Sequence, residues 1–253
     1  HRAHASTAAI AKLLPAFAGA LMMEEISALR AALDSPVRPT VAIVGGAKIS
    51  SKISVLTNLT DKVDHLIIGG GMANTFLLAQ GVCVGASLAE PDLTGLANEI
   101  IANARAKGCE IVLPKDAVVA ERLEAGIPHQ VVDVSSVPKN EMILDVGPNS
   151  LSAMTGVLSA CRTVLWNGPL GAFETEPVGA GTFQLAKLAG ALTERGVLVS
   201  IAGGGDTVAA LNAAGVIDKF SYVSTAGGAF LEWLEGRALP GIVALTRQHS
   251  SLA

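Results

Sequence analysis

Short apolar runs recur along the chain, and many of them stop at glycine. The runs predict strands at 40–44, 65–68, 110–113, 130–134, 142–144, 163–166, 197–202 and 222–224. They are rich in Val and Ile and mostly apolar at consecutive positions, as in strands covered on both faces. Between them, Ala- and Leu-rich stretches with helical spacing span 51–59, 73–80, 93–107, 150–160, 179–195 and 207–213. Such alternation implies βαβ units. The expected fold is α/β: a doubly wound, mainly parallel sheet of about six strands with helices on both faces, a Rossmann-like three-layer sandwich.

The two ends break the pattern. Residues 8–33 read as helical but contain Pro15, which removes a donor and clashes one turn back. Two helices or a kink are expected there. "DSPVRPT" (34–40) imposes extended or turn geometry before the first strand. The last stretch, "LPGIVALTRQHSSLA", shows no helical or strand period and reads as a departing tail.

Composition narrows the classes. Half of the 253 residues are apolar and few are aromatic, so small side chains fill a large core. The net charge of −4 is spread over interspersed acids and bases, which argues against nucleic acid or a basic membrane patch as partner. Cys83, Cys109 and Cys161 stand apart with no C-x-x-C pair, so neither a zinc site nor a disulfide framework is expected. A reducing, cytoplasmic location follows. "AFAGALMM" is too short to span a bilayer. The first residue is His, and the chain reads as a fragment or a trimmed piece of a longer protein.

The candidate chemistry lies at the strand ends. "VAIVGGAKISSK", "LIIGGGMANTF", "LVSIAGGGDTVAALNAAG" and "YVSTAGGAFLEWLEG" share one grammar: apolar strand, glycine cluster, helix. "VLWNGPLGAFE" is a variant. Glycine lets backbone approach a ligand, and a helix start offers unpaired N–H groups and partial positive charge. In a doubly wound sheet these turns share one edge, where ligands bind. A phosphate chain is the expected anion; glycine at βα turns for structural reasons alone is the competing reading. Neither G-x-x-x-x-G-K-[ST] nor G-x-G-x-x-G occurs, which argues against a Walker loop and a dinucleotide fingerprint. Lys48 and Lys52 fall near a helix start, where an anion between them would relieve their repulsion; a solvated pair is the alternative. Asp206 either caps its helix or holds Mg²⁺ against phosphate oxygens, with Thr207 adding a hydroxyl.

"VGGAKISSKI", "IIGGGMANTFL", "LDVGPNS", "LWNGPLGAFE", "AGGGDTVAAL" and "STAGGAFLEWLEG" occur in the order found in phosphoglycerate kinases. The chain resembles their nucleotide-binding half, and "HRAHAST" resembles the last motif of the substrate-binding half. The resemblance implies a two-domain, monomeric, cytoplasmic enzyme of glycolysis. That enzyme reversibly transfers a phosphoryl group from 1,3-bisphosphoglycerate to ADP with Mg²⁺, giving 3-phosphoglycerate and ATP. It implies that Lys52, with Gly46, binds the nucleotide phosphates and that Lys48 reaches the transferring group. Gly70 and Gly71 would lie against adenine, and Glu174 would bind the ribose. Asn167 and Pro169 would line the cleft, and Gly204, Gly205, Asp206 and Thr207 would hold Mg²⁺ and phosphates. Gly227 and Gly228 would present N–H groups to the transferred group. Arg2 would contact phosphoglycerate, with His1 and His4 nearby.

On this resemblance the chain divides into a remnant of the substrate domain and hinge (1–20), a nucleotide-binding domain (21–242) and a tail (243–253). The rest of the phosphoglycerate site would lie in an amino-terminal half, so the chain alone is expected to bind Mg-ADP or Mg-ATP and to turn over poorly. A non-catalytic nucleotide-binding module is the alternative; a nicotinamide-dependent dehydrogenase is disfavoured by the missing fingerprint. Ala226 stands where a third glycine is common, Phe230 where a small hydroxyl residue is common, Asn149 for a frequent Lys, and Lys115 where an apolar residue is usual.

Overall fold

The computed structural model describes residues 1–249, with side chains described through residue 246. The main sheet has six parallel strands: β1 (Thr40–Val44), β2 (His65–Ile68), β3 (Glu110–Val112), β7 (Thr163–Asn167), β8 (Val199–Gly203) and β9 (Tyr222–Ser224). Their spatial order is β3-β2-β1-β7-β8-β9. Counted along this sheet alone, that is the doubly wound order, with its switch point between β1 and β7.

Alternate residues of each central strand feed opposite cores, because successive side chains in a strand point to opposite faces. Ala42 and Val44 of β1 join Leu29, Leu56, Phe76, Ile100 and Leu234 on one face. Val41 and Ile43 join Met154, Leu158, Trp166, Leu185 and Leu211 on the other. The first face is covered by α1 (Ala20–Leu33), α2 (Ile53–Leu59), α3 (Gly70–Ala79), α4 (Thr94–Ala106) and α8 (Gly227–Leu234). The second is covered by α5 (Pro148–Ala160), α6 (Ala180–Glu194) and α7 (Gly205–Ala213). β1 and β7 are buried along their whole length, while the edge strand β3 has no buried residue.

A second, three-stranded antiparallel sheet was not foreseen. It orders β5 (Gln130–Asp133), β4 (Asp116–Ala120) and β6 (Met142–Val146), with an irregularity between Val118 and Val119. No strand was expected at 116–120, since "DAVVA" begins with a poor strand former. Two flanking partners pin it there instead.

At the head, residues 5–12 form two short helical turns, Pro15 follows, and α1 starts at Ala20. At the far end, α9 (Pro240–His249) is a helix where no element was expected. Pro240 opens it, as suits a residue with no N–H to leave unpaired, and it packs on the turns of residues 5–12. Residues 250–253 of the expected tail lie outside the described residues.

Candidate functional site

The parallel registers pair Val44 with both Ile68 and Asn167, and Gly203 with Ser224. The carboxyl ends of five neighbouring strands therefore form one rim, and the glycine turns sit on it together.

At the switch point the turns after β1 and β7 interlock. A methyl on Gly45 would collide with the Pro169 carbonyl, and one on Gly168 with the Gly45 carbonyl. Gly168 has φ +103°, a conformation open to glycine. The turn after β2 seats itself on the same knot. Gly70 donates its N–H to Leu170 O (2.7 Å), and Met72 donates to Gly46 O (3.0 Å). A methyl on Gly70 would meet Gly46 O at 2.6 Å, and one on Gly71 would meet Ala47 O at 2.6 Å. Gly70 and Gly71 form the first turn of α3, so that helix begins earlier than its apolar spacing suggests.

Lys52 and Lys48 have different surroundings. Lys48 is exposed and precedes a short 3-10 turn (Ile49–Ser51), and Glu90 bonds both the N–H (3.0 Å) and hydroxyl (2.6 Å) of Ser50. Burial works to raise the Glu90 carboxyl, but bonds from the Ser50 hydroxyl and N–H, with the Ile49 N–H and the Lys48 charge adding less, hold it below its ordinary range. Lys52 is turned inward. Its ammonium donates to Gly45 O (2.6 Å) and Asn167 O (3.0 Å), clasping the ends of β1 and β7. Burial lowers its pKa from 10.5 to about 8, and the negative charge of Asp206 opposes that fall.

Asn167 ends β7 and is buried. Its amide nitrogen donates to Gly203 O (2.7 Å), and Thr207 Oγ also donates to Gly203 O (2.9 Å). Gly168 N in turn donates to Thr207 Oγ (2.7 Å). The side-chain oxygen of Asn167 has no partner. A buried acceptor without a donor costs roughly 1–3 kcal/mol, so a donor arriving there would be favourable.

α7 begins at Gly205 rather than at Thr207, which puts exposed Asp206 in its first turn. No Asp206 side-chain cap closes that turn. A methyl on Gly205 would meet open space, and one on Gly227, at the start of α8, would lie 3.9 Å from Gly204 Cα. Ala226 has φ −99°, so its methyl carries no left-handed strain.

Other expected residues stand apart. Glu174 is exposed in the connection between β7 and α6. Arg2 and His4 are exposed at the head, although the His1 ring reaches α8, within 2.9 Å of where a Gly228 methyl would be.

Two buried carboxylates of this region were not anticipated as actors, although "LDVGPNS" contains one of them. Asp116 accepts from Asn149 N (2.9 Å), Ser150 N (2.7 Å) and Ser150 Oγ (2.5 Å) at the start of α5. Asp145 accepts from Gly179 N and Gly181 N (both 2.9 Å) at the start of α6. The first turns of α7 and α8 begin with glycine on the shared rim and receive no such carboxylate, while α3 gives its first-turn N–H groups of Gly70 and Met72 to backbone carbonyls.

The glycine-led helix starts and the largely desolvated Lys52 ammonium suit an extended anion, whereas the orphan acceptor of Asn167 and the Asp206 carboxylate suit a cation, or its waters, accompanying that anion. Among the described residues no three His, Cys, Asp or Glu gather as a metal cage. A single carboxylate beside phosphate oxygens fits Mg²⁺, which typically binds in that way and keeps several waters. Such a water could also donate to the Asn167 side-chain oxygen.

Comparison with known proteins points the same way. The family model for phosphoglycerate kinase matches residues 1–237. The phosphoglycerate kinase of Novosphingobium aromaticivorans is 60% identical over 246 residues, covering 97% of this chain and 62% of that protein. That of Zymomonas mobilis is 60% identical over 245 residues, with the same two coverages. The structure of phosphoglycerate kinase from Coxiella burnetii superposes with a TM-score of 0.94 at 46% identity, covering 98% of this chain and 63% of that one. The chain thus spans about three fifths of the length of these relatives.

Proposed function

The chain belongs to the phosphoglycerate kinase family, and we propose that it is the part of such an enzyme that binds Mg-ADP or Mg-ATP. The whole enzyme would transfer a phosphoryl group reversibly between 1,3-bisphosphoglycerate and ADP, in cytoplasmic glycolysis and as a monomer. Phosphoglycerate would be held mainly by an amino-terminal half, with Arg2 and His4 contributing from this chain.

The observation that carries the reading is the meeting of the β1, β2, β7, β8 and β9 turns on one rim, with Lys52 clasping the ends of β1 and β7 at its middle. The parts of the ligand then follow the roles that the family resemblance implies. Adenine lies over the Gly70–Gly71 turn with Pro169 alongside, and Glu174 takes the ribose. The diphosphate runs across the switch point, where Lys52 neutralises it and the Gly204–Thr207 turn supplies N–H groups. Asp206 holds Mg²⁺, which supplies charge neutralisation of the phosphates when bound.

Phosphoryl transfer asks for little covalent work from a protein, and its catalysis is positioning and charge stabilisation. Lys48, exposed at the rim, meets the transferring group. The N–H groups of Gly227 and Gly228 face the same point, at the start of α8. Apolar side chains beneath the rim exclude water from the phosphates once the cleft closes.

Calorimetry of this chain with ADP, adenosine and NAD, each with and without Mg²⁺, tests the reading. The expected result is Mg-dependent ADP binding that Lys52→Ala weakens far more than adenosine binding. Equal loss for adenosine removes Lys52 from the phosphates. Tighter binding of NAD overturns the nucleotide assignment.

A further inference from the structure

Phe230 is wholly buried in the first turn of α8, just behind Gly227 and Gly228. Its ring lies against the last residue of β8: a methyl on Gly203 would sit 2.7 Å from two ring carbons and 2.9 Å from a third. Gly203 is not a passive neighbour. Its carbonyl accepts both the Asn167 amide and the Thr207 hydroxyl, and that hydroxyl receives Gly168 N. The ring therefore packs against the Cα of the residue whose carbonyl orients the side chain of Asn167 and anchors the first turn of α7. The turns after β8 and β9 also meet at Gly227 and Gly204.

We infer that Phe230 is a positioning residue: its ring sets the Gly203 carbonyl and so locks the turns after β7, β8 and β9 into one anion-binding unit. The inference deepens the nucleotide-binding reading and rests on it. It concerns the phosphate end alone. The Gly70–Gly71 turn follows β2, three strand positions away from β8, a separation of about 14 Å at ordinary strand spacing. A ring that only fills the core would affect stability without distinguishing the two ends of a nucleotide.

The test compares Phe230→Ala, the milder Phe230→Leu and the double variant Gly203→Ala/Phe230→Ala, in which a methyl on Gly203 takes space left by the ring. Affinities for Mg-ADP and for adenosine are measured by calorimetry, with melting temperature alongside. Loss of the ring is expected to weaken Mg-ADP about tenfold and adenosine less than about twofold, since small displacements of preorganised groups are costly. Phe230→Leu is expected to fall between, and the double variant to recover part of the Mg-ADP affinity. An unchanged ratio of the two affinities in Phe230→Leu, with a lowered melting temperature, overturns the inference and leaves the nucleotide reading intact. Absence of Mg-ADP binding by the unmodified chain overturns both.

Discussion

The Lys52 ammonium donates to the backbone carbonyl of Asn167 at 3.0 Å, across 115 residues of sequence. The bond crosses the switch point of the sheet and holds the lysine in place before any anion arrives. Desolvation leaves this ammonium with a pKa of about 8. A bound diphosphate favours the charged form and raises that value. Binding of Mg-ADP near pH 8 is therefore expected to take up a fraction of a proton, and near pH 6 almost none. Calorimetry in buffers of different ionisation enthalpy measures this, and Lys52→Ala is expected to abolish the uptake. In the ligand-free chain the sign also follows: the lowered pKa makes charged Lys52 a burden on the fold at neutral pH. That burden is relieved as pH rises from about 8 towards 10.5.

Gly205 and Gly45 are expected to part company on substitution. Gly205→Ala places a methyl in open space at a helix start, so stability holds or rises by up to about 1 kcal/mol. The same methyl projects where the proposed phosphates lie, so Mg-ADP affinity is expected to fall. Gly45→Ala drives a methyl into the Pro169 carbonyl and is expected to cost several kcal/mol, on the order of the larger overpacking penalties. Urea denaturation and ADP titration of the two variants separate the effects.

Asp206→Ala is expected to weaken ADP binding in Mg²⁺ and to leave metal-free binding equal or tighter. The carboxylate repels phosphate when no cation intervenes. Titration with and without a chelator reads the difference, and equal loss in both conditions removes Asp206 from the metal.

Asp145 and Asp64 are expected to answer pH in opposite directions. Burial pushes the Asp145 carboxyl up, against three backbone N–H donors. Its contribution to stability is complete below the ordinary value of 3.8 and is lost as pH rises through the raised folded value. Asp64 is held low despite desolvation, by bonds from the Thr40 N–H and hydroxyl and by Arg38. Its contribution is present above 3.8 and is lost on acidification. Urea midpoints across pH 3 to 7 for Asp145→Asn and Asp64→Asn, each against the unmodified chain, are expected to diverge with opposite slopes.

The parallel sheet was legible because β1, β2, β7 and β8 are mostly buried and run directly into glycine, a signal local to the sequence. The second sheet was less so. β4 depends on distant partners at 130–133 and 142–146, and nothing within "DAVVA" announces them. α9 likewise packs on the turns of residues 5–12, distant in sequence, which nothing in its own stretch announces. At the rim, spacing singled out Lys48, Lys52 and Asp206 but could not tell the exposed lysine from the buried one. That distinction arises where Gly45 and Asn167 come together. Gly203 and Phe230 form a pair only in three dimensions, and the roles of Asp116 and Asp145 needed the helix starts that they meet.

The carboxylates of Asp116 and Asp145 have a consequence for traffic in negative charge. Five helices begin close to strand ends, and each start would attract an anion. Two are already served from within the chain, by side chains too buried to be displaced by passing ions. Visitors are thereby turned away from α5 and α6 and directed towards the glycine-led starts of α7 and α8, while the start of α3 already gives the N–H groups of Gly70 and Met72 to the carbonyls of Leu170 and Gly46. By keeping its own acids at the wrong doors, the fold gives an incoming polyanion one place to stay.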